Sequence, residues 1–225
     1  MKSSTRKSTE RIVGIAIFSA LAFVVSFLVH IPIQFLTFDA KDAIITVAAF
    51  IYGPITAPII SFIAALIELV TISDTGWYGF IMNFASSAVY SLTASLIYSS
   101  KRSINRALIG IYSAVALTTG VMLLLNILVT PIYMRDFLGV PMDASGIIDM
   151  IPTILLPFNF AKTLLNSAIV MLIYKPITLA LSRSGIVKSE EKKSLSFNRS
   201  SLIIAISGAI SLVIAVTIFL ILSLA

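Results

Sequence analysis

The chain has 225 residues, of which 58% are hydrophobic and only 12% charged, and its mean hydropathy is +1.04. About a quarter of the residues of a soluble domain are charged, so this composition excludes an ordinary soluble fold and indicates a polytopic membrane protein that forms one domain. The sequence contains no cysteine, which excludes disulfides, thiolate chemistry and iron–sulfur ligation. The single histidine, His30, argues against a metal site built from histidines.

Hydrophobic segments follow one another along the chain, at about 12–29, 42–52, 55–72, 78–98, 107–129, 153–174 and 201–224. A helix needs about 20 residues to cross the bilayer, so the second segment is too short to span alone. Gly53 and Pro54 separate it from the third segment, with which it forms a helical hairpin. We therefore predict an all-α integral membrane protein with a six-helix core over residues 1–182, a cytoplasmic linker over 183–199 and one extra C-terminal transmembrane helix over 200–225.

The net charge of +6 comes from lysine and arginine residues that flank the hydrophobic segments. With the N-terminus placed in the cytoplasm, thirteen of these residues lie on the inner side and two, Lys41 and Arg135, lie outside. This bias is the topology signal of a membrane protein rather than a nucleic-acid-binding patch. It predicts a multi-pass protein in a lipid bilayer, with a cytoplasmic N-terminus and no nucleic-acid partner.

Small residues recur four positions apart in the first segment, at Ala16 and Ala20. This spacing lets another helix approach closely. The face is therefore either a docking surface for another subunit or an instance of the alanines that are common in membrane helices.

The loop after the first segment, residues 30–42, is unusually apolar for an external loop. It suits either a lid over a binding cavity or a segment that lies at the level of the lipid headgroups. Asp39 and Asp42 within it are typical of residues that cap the next helix.

Lys162 lies in the middle of the sixth segment, and a cation at that depth costs at least ~2.5–3.5 kcal/mol on insertion scales. Asn159, Lys162 and Asn166 follow at helical spacing and share one helix face. A polar face within an apolar bundle is best explained by a small polar molecule bound there. Glu68, near the end of the third segment, either pairs with Lys162 or lies at the outer water interface, and its position favours the interface.

Asn83 and Asn126 lie toward the outer ends of their helices, at the same predicted level as Asn159 and Lys162. A buried amide that only bonds a neighbouring helix contributes about 0.6 kcal/mol. That explanation suffices for any one of these asparagines. For the whole set together with the lysine, a bound ligand is the better explanation.

Catalytic motifs are absent from the sequence, which has no Gly-x-x-x-x-Gly-Lys-Ser/Thr phosphate loop, no His-Glu-x-x-His motif and no Gly-x-Ser-x-Gly elbow. Paired carboxylates within the hydrophobic segments are also absent. The sequence therefore favours binding or passage over catalysis, without a metal or a cofactor. Because a lone six-helix unit without internal two-fold repetition is small for a complete transporter, a binding subunit that partners energise fits better.

Several stretches together resemble a known family, and they lie at 38–42, 52–54, 75–76 with 79–84, Asn126 with 130–134, 157–162 with Asn166, and 174–176. Over about residues 10–180 the chain resembles the substrate-binding S components of energy-coupling factor (ECF) vitamin transporters, and specifically the riboflavin-binding members.

The resemblance implies that riboflavin is the transported ligand, held near the outer face in a pocket that the loop between the first two helices closes. It implies that the flavin ring is held by the asparagines of helices five and six and a nearby lysine, which are Asn126, Asn159 and Lys162. The further candidate binding residues are Asn83, Leu36, Phe38, Asp39, Phe84 and Phe158.

The resemblance also implies docking of Ala16 and Ala20 on a membrane coupling subunit, with two cytoplasmic ATPase subunits energising uptake across the plasma membrane of a prokaryote. The extra helix after residue 182 departs from the six-helix family pattern.

Two alternatives stay open. An S component for another vitamin, such as pantothenate or thiamine, would have the same architecture. A small integral-membrane enzyme acting on lipid or isoprenoid substrates would need clustered carboxylates near the membrane surface, whereas the aspartates here are scattered through the outer loops.

Overall fold

The computed structural model describes residues 2–140, 142–183 and 199–224. In chain order its elements are α1 (Lys2–Leu28), β1 (Ile31–Ile33), β2 (Leu36–Phe38), α2 (Lys41–Tyr52), α3 (Thr56–Thr71), α4 (Gly76–Ser99), α5 (Ile104–Asp136), α6 (Ala144–Asp149), α7 (Leu156–Arg183) and α8 (Arg199–Leu224). A π-helical turn, Ile151–Leu155, leads directly into α7. The predicted linker, 183–199, lies outside the described residues apart from its two ends.

Among the described residues, five helices are long and apolar enough to cross a membrane: α1, α4, α5, α7 with its preceding turn, and α8. The prediction of an all-α membrane protein is thereby confirmed. Helices α2 and α3 have 12 and 16 residues, fewer than the ~20 of a bilayer crossing. The count of six core spans plus one therefore stays a prediction. The predicted break between α2 and α3 is present, since Gly53 takes a φ of +102°, which costs glycine little.

The main core lies where α2 and α4 pack among α1, α3, α5 and α7. It is rich in small and branched residues, so the helix backbones approach one another closely. One such close backbone approach is between α4 and α5 at Gly110, where an added Cβ would lie 2.6 Å from the carbonyl oxygen of Ala94. Hydroxyl groups also join the helices within this core, as between Tyr90 and Ser167, whose oxygens lie 2.7 Å apart.

A two-stranded antiparallel hairpin, β1–β2, joins α1 to α2 and pairs Ile31 with Phe38 and Ile33 with Leu36. The turn between the strands places Gln34 at a φ of +55°. The sequence pattern did not predict these strands, because the turn carries none of the Gly or Asn residues that favour a positive φ. The apolar loop of residues 30–42 thus has a defined structure between the end of α1 and the beginning of α2.

Helix α8 runs antiparallel to α7, because Phe219 contacts Phe158 near the start of α7 while Gly208 lies against Ala168 farther along it. Most of α8 is exposed, as expected for a helix that faces lipid. One face is buried at helical spacing, and its residues are Gly208, Ser211, Ala215 and Leu222. The predicted extra helix is therefore packed along the core rather than separate from it.

Candidate functional site

A cavity lies beneath the β1–β2 hairpin, between α4, α5 and the beginning of α7. Its wall also includes the turn between α3 and α4. The cavity volume is about 140 Å³, which is below the ~300–1,000 Å³ common for ligand pockets. Most of the predicted binding residues line it, namely Leu36, Asp39, Asn83, Asn126, Phe158, Asn159 and Lys162.

Asn126 of α5 and Asn159 of α7 are buried in the cavity wall. Each donates an amide N–H to the carbonyl oxygen four residues earlier, at 2.7 Å to Met122 and at 2.8 Å to Leu155. Asn126 Oδ1 also accepts a hydrogen bond from the Thr130 hydroxyl at 2.9 Å. Because a primary amide has two donor hydrogens and two acceptor lone pairs, each side chain is held in place and retains a donor and an acceptor for a ligand.

Lys162 connects the cavity wall on α7 to the hairpin. Its Nζ donates to Asp39 Oδ2 at 2.9 Å and lies 3.5 Å from the carbonyl oxygen of Thr37. An ammonium group has three donor hydrogens, so one is left for a bound molecule. The sequence interpretation, that the buried cation faces protein and a polar site, agrees with this arrangement.

Glu68 lies in a buried ion pair rather than at the water interface, so the favoured interpretation of this residue is wrong. Its Oε2 accepts from Lys41 Nζ at 2.7 Å and from Asn83 Nδ2 at 3.2 Å. Nor does it pair with Lys162, because Asp39 takes that position. The cause is Lys41, which was expected in an external loop but begins α2 and is only 1% exposed. Glu68 Oε1 has no protein partner and belongs to the cavity lining.

Asn166 fixes the beginning of α2 instead of facing the cavity. Its Oδ1 accepts from the Ala43 amide at 3.0 Å, and its Nδ2 donates to the carbonyl oxygen of Asp39 at 3.1 Å. Asp39 Oδ1 in turn accepts from the Lys41 amide at 3.2 Å, which is one of the free N–H groups at the start of α2. The N-cap position itself is Ala40, which makes no side-chain cap hydrogen bond. Asp42 does not cap the helix, since it lies inside α2 and its carboxylate accepts from a serine of α4.

The ion pairs balance the buried charge around the cavity. Asp39 lies between α1 and α2, where burial by itself raises the pKa of its carboxyl group. The positive charges of Lys162 and then Lys41 outweigh burial and hold that pKa well below its usual range. Together with Glu68 these salt-bridged groups provide two negative and two positive charges. The buried carboxyl group of Asp42 lies beside them and accepts a hydrogen bond from Ser87. The salt-bridged groups by themselves add no net charge, which suits a ligand that is polar but uncharged.

Two of the predicted wall residues do not reach the cavity. The Phe84 ring lies on a side of α4 that does not line the cavity. It packs against Phe62 and Phe80, with ring centroids 5.8 and 6.3 Å away. Phe38 does not line the cavity and packs against Phe219 of α8, with ring centroids 5.0 Å apart. Leu36 does line the cavity, and it also contacts the cluster that contains Phe38.

Several further lining residues escaped the sequence analysis. Met122, Thr130 and Tyr133 lie on the same face of α5 as Asn126, and Tyr78 faces them from α4. Helical spacing from Asn126 contained the signal for the α5 set, since these positions lie four or seven residues from it. Tyrosine is typical of the membrane interface, so the residue type of Tyr78 does not indicate a place in the cavity lining.

Ala16 and Ala20, the predicted docking residues, lie on α1 and are both exposed. Neither lines the cavity. The small-residue face of α1 is therefore accessible to another helix, and it is spatially separate from the candidate binding site.

Comparisons with known proteins identify the family of the chain. Residues 10–174 match the family described as "ECF transporter, substrate-specific component". The chain is 31% identical to the riboflavin transporter RibU of Staphylococcus aureus (strain TCH60) over 183 residues, which are 79% of this chain and 95% of the relative. It is also similar to the solved structure of "the S component of a bacterial ECF transporter", with a TM-score of 0.64, 29% identity, and coverage of 78% of this chain and 99% of that chain.

Proposed function

The chain belongs to the substrate-specific components of ECF transporters, and from this premise we propose that it binds riboflavin in the cavity and presents it for uptake. The similar protein RibU is named as a riboflavin transporter, and this chain covers 95% of its length. The transporter family is not a class of enzymes, and the chain acts by binding its ligand rather than by converting it.

The observation that carries the proposal is the pair of amides beside a lysine, Asn126, Asn159 and Lys162, in one cavity wall. The pyrimidine edge of a flavin presents hydrogen-bond acceptors next to a donor. Each amide retains one donor and one acceptor, and the lysine adds a donor, so the wall complements that edge. Asp39, Glu68 and Asn83 provide groups for the hydroxyls of the ribityl chain.

Apolar and aromatic side chains provide the rest of the wall. Phe158, Met82 and Met122 offer apolar surface for a flat ring, and Tyr78 and Tyr133 lie 5.9 Å apart, centroid to centroid, at another part of the lining. A tricyclic ring system needs such surfaces on its faces and polar groups at its edge. The cavity combines both.

The charge balance favours riboflavin over the other vitamins considered. Within the salt-bridged network, the carboxylates of Asp39 and Glu68 and the ammonium groups of Lys41 and Lys162 already neutralise each other. The carboxylate of pantothenate or the cation of thiamine would add an uncompensated charge in a site of low dielectric. Riboflavin is neutral and adds none.

The β1–β2 hairpin acts as the lid of the site. It contributes Phe35, Leu36 and Thr37 to the lining, and the cavity beneath it, at about 140 Å³, is small for a ligand of this size. Entry of riboflavin therefore requires the hairpin to shift outward. The contact of Lys162 with Thr37 and Asp39 closes it again.

The remaining parts of the proposal concern assembly. Ala16 and Ala20 form the contact with a membrane coupling subunit, and two cytoplasmic ATPase subunits supply the energy. The excess of lysine and arginine on one side of the predicted spans supports a cytoplasmic N-terminus in a prokaryotic plasma membrane. The cavity then opens toward the outside.

The test is riboflavin titration of the detergent-purified full chain, followed by quenching of flavin fluorescence, after the visible absorption spectrum has been recorded. Saturable quenching at one flavin per chain, with pantothenate and thiamine failing to compete, is the expected result. If the protein binds pantothenate or thiamine but not riboflavin, the proposed ligand is wrong, while the family assignment still holds.

A further inference from the structure

The C-terminal end of α8 packs against the outer side of the β1–β2 hairpin. The Phe219 ring lies 5.0 Å from the Phe38 ring and 6.0 Å from the Phe158 ring, centroid to centroid. Phe38 and Phe158 belong to a small buried cluster with Ile33 and Leu222, and Phe219 packs against that cluster while partly buried. The cluster joins the hairpin, α7 and α8. It lies next to the cavity, whose lining it reaches at Phe158 and, through a packed neighbour, at Leu36.

Phe38 connects this cluster to the binding site through the backbone. The residues on either side of it, Thr37 and Asp39, line the cavity and contact Lys162. Phe38 itself is buried against Phe219. Strand β2 is therefore held from two sides, by Lys162 on the cavity side and by Phe219 on the outer side.

Helix α8 is a fixed support rather than a loosely attached segment. The hydroxyl oxygens of Ser211 and Tyr112 of α5 lie 3.1 Å apart. A Cβ added at Gly208 would lie 3.4 Å from Met171 Cβ, so α8 and α7 approach closely there. Ala215, between these contacts and Phe219, is fully buried. Because α8 is held in place by these contacts, its contact with the hairpin can stabilise the closed position of the hairpin.

We propose that α8 is a clamp on the hairpin and that Phe219 is a positioning residue that sets how often the lid opens. The inference rests on the proposed function of the cavity. The family match ends at residue 174, so α8 lies beyond the matched part of the chain. The clamp is accordingly an addition to the transporter core rather than one of its shared parts.

The position of the contact determines its kinetic effect. Neither Phe38 nor Phe219 lines the cavity, so their contact is independent of the ligand. Its loss makes opening easier in the bound and the free protein alike. Association and dissociation rate constants of riboflavin should both rise, by about two- to tenfold for one aromatic pair, while Kd stays nearly unchanged.

The experiment compares stopped-flow riboflavin binding for full-length wild-type protein, Phe219→Ala and Phe219→Leu in detergent. Leu220→Ala is the matched control, since Leu220 follows Phe219 on α8 but is 59% exposed. We expect both rate constants to rise together in Phe219→Ala, less so in Phe219→Leu, and not in Leu220→Ala. Should Phe219→Ala fail to fold, the leucine variant carries the same comparison.

Hydrogen exchange separates the clamp from general destabilisation and from the riboflavin assignment. In the absence of riboflavin, Phe219→Ala should speed exchange in residues 31–38 while α4 and α5 keep wild-type protection. Unchanged rate constants with unchanged hairpin exchange overturn the proposal. So does a weaker Kd at an unchanged association rate, which would make Phe219 a static support of the pocket. If wild-type protein does not bind riboflavin, the proposed function fails, and the exchange comparison still tests the clamp.

Discussion

Lys162 and Asp39 are 123 residues apart in the sequence, and Lys162 Nζ lies 2.9 Å from Asp39 Oδ2 in the structure. Both side chains are almost completely buried. The pair joins the cavity wall on α7 to the end of the hairpin that covers the cavity. It is therefore a structural link and part of the candidate binding site at the same time.

Neutralising one member of this pair should lower the stability of the protein more than neutralising both members does. Asp39→Asn leaves the buried Lys162 without a carboxylate partner, which costs about 3–5 kcal/mol of stability. Lys162→Met leaves Asp39 paired with Lys41 only and should cost a smaller part of that range. The double variant removes both charges and should recover a large part of that loss. Thermal unfolding in detergent measures the three variants. Additive losses in the double variant would show that the two side chains do not act as a pair.

Each cavity asparagine should contribute to flavin affinity. Asn126→Ala or Asn159→Ala removes groups that face a ligand in a buried site, and we expect Kd for riboflavin to rise by about tenfold or more for each. Asn105→Ala is the matched control, since Asn105 lies exposed near the other end of α5. Fluorescence titration gives the three Kd values. Wild-type affinity in both cavity variants would remove these residues from the site.

The two glycines of α5 should respond to alanine in opposite directions. At Gly110 the new Cβ would lie 2.6 Å from the carbonyl oxygen of Ala94, so Gly110→Ala forces α4 and α5 apart and costs about 1–3 kcal/mol. At Gly120 nothing lies within 4 Å of the new Cβ, so the helix propensity of alanine should stabilise the protein by up to about 1 kcal/mol. Thermal unfolding of both variants tests the sign of each change.

Enlarging the small-residue face of α1 should separate assembly from binding. Ala16→Leu with Ala20→Leu obstructs close approach of a partner helix but leaves the distant cavity intact. Riboflavin affinity should stay at the wild-type value, while co-purification with the coupling subunit and uptake into cells fall by about tenfold or more.

The matched control for this face lies on α8, where Ala205 and Ala209 have the same spacing and the same exposure. Leucines at both of these positions should leave assembly unchanged. Normal uptake by the α1 variant would assign the coupling subunit to a different surface.

Hydrophobicity and spacing predicted the parts of the structure that depend on local sequence. The long apolar segments are helices, and Gly53 separates α2 from α3. Helical periodicity also placed Asn159 and Lys162 on one face of α7, and both reach the cavity. These features follow from the chemistry of single segments in a membrane, which is why the sequence contains enough information for them.

The features that the sequence could not predict depend on long-range contacts. The sequence predicted that Lys41 and Glu68 lie near the outer surface. In the structure Lys41 Nζ and Glu68 Oε2 are buried and lie 2.7 Å apart. The strands of the hairpin lack a recognisable turn signal. In α8, the buried face consists of small residues within a uniformly apolar helix, so periodicity gave no contrast by which to identify it.

The tight crossing of α4 and α5 at Gly110 has a consequence for inhibitors. These two helices carry Asn83 and Asn126, and they leave no gap at Gly110 for a small molecule to separate them. We therefore expect the α4–α5 wall to keep its position and the hairpin to move when the cavity widens. A compound that has the pyrimidine edge of a flavin and a bulky group beneath Leu36 would keep the hairpin in its open position. Such a compound would occupy the site and also prevent its closure.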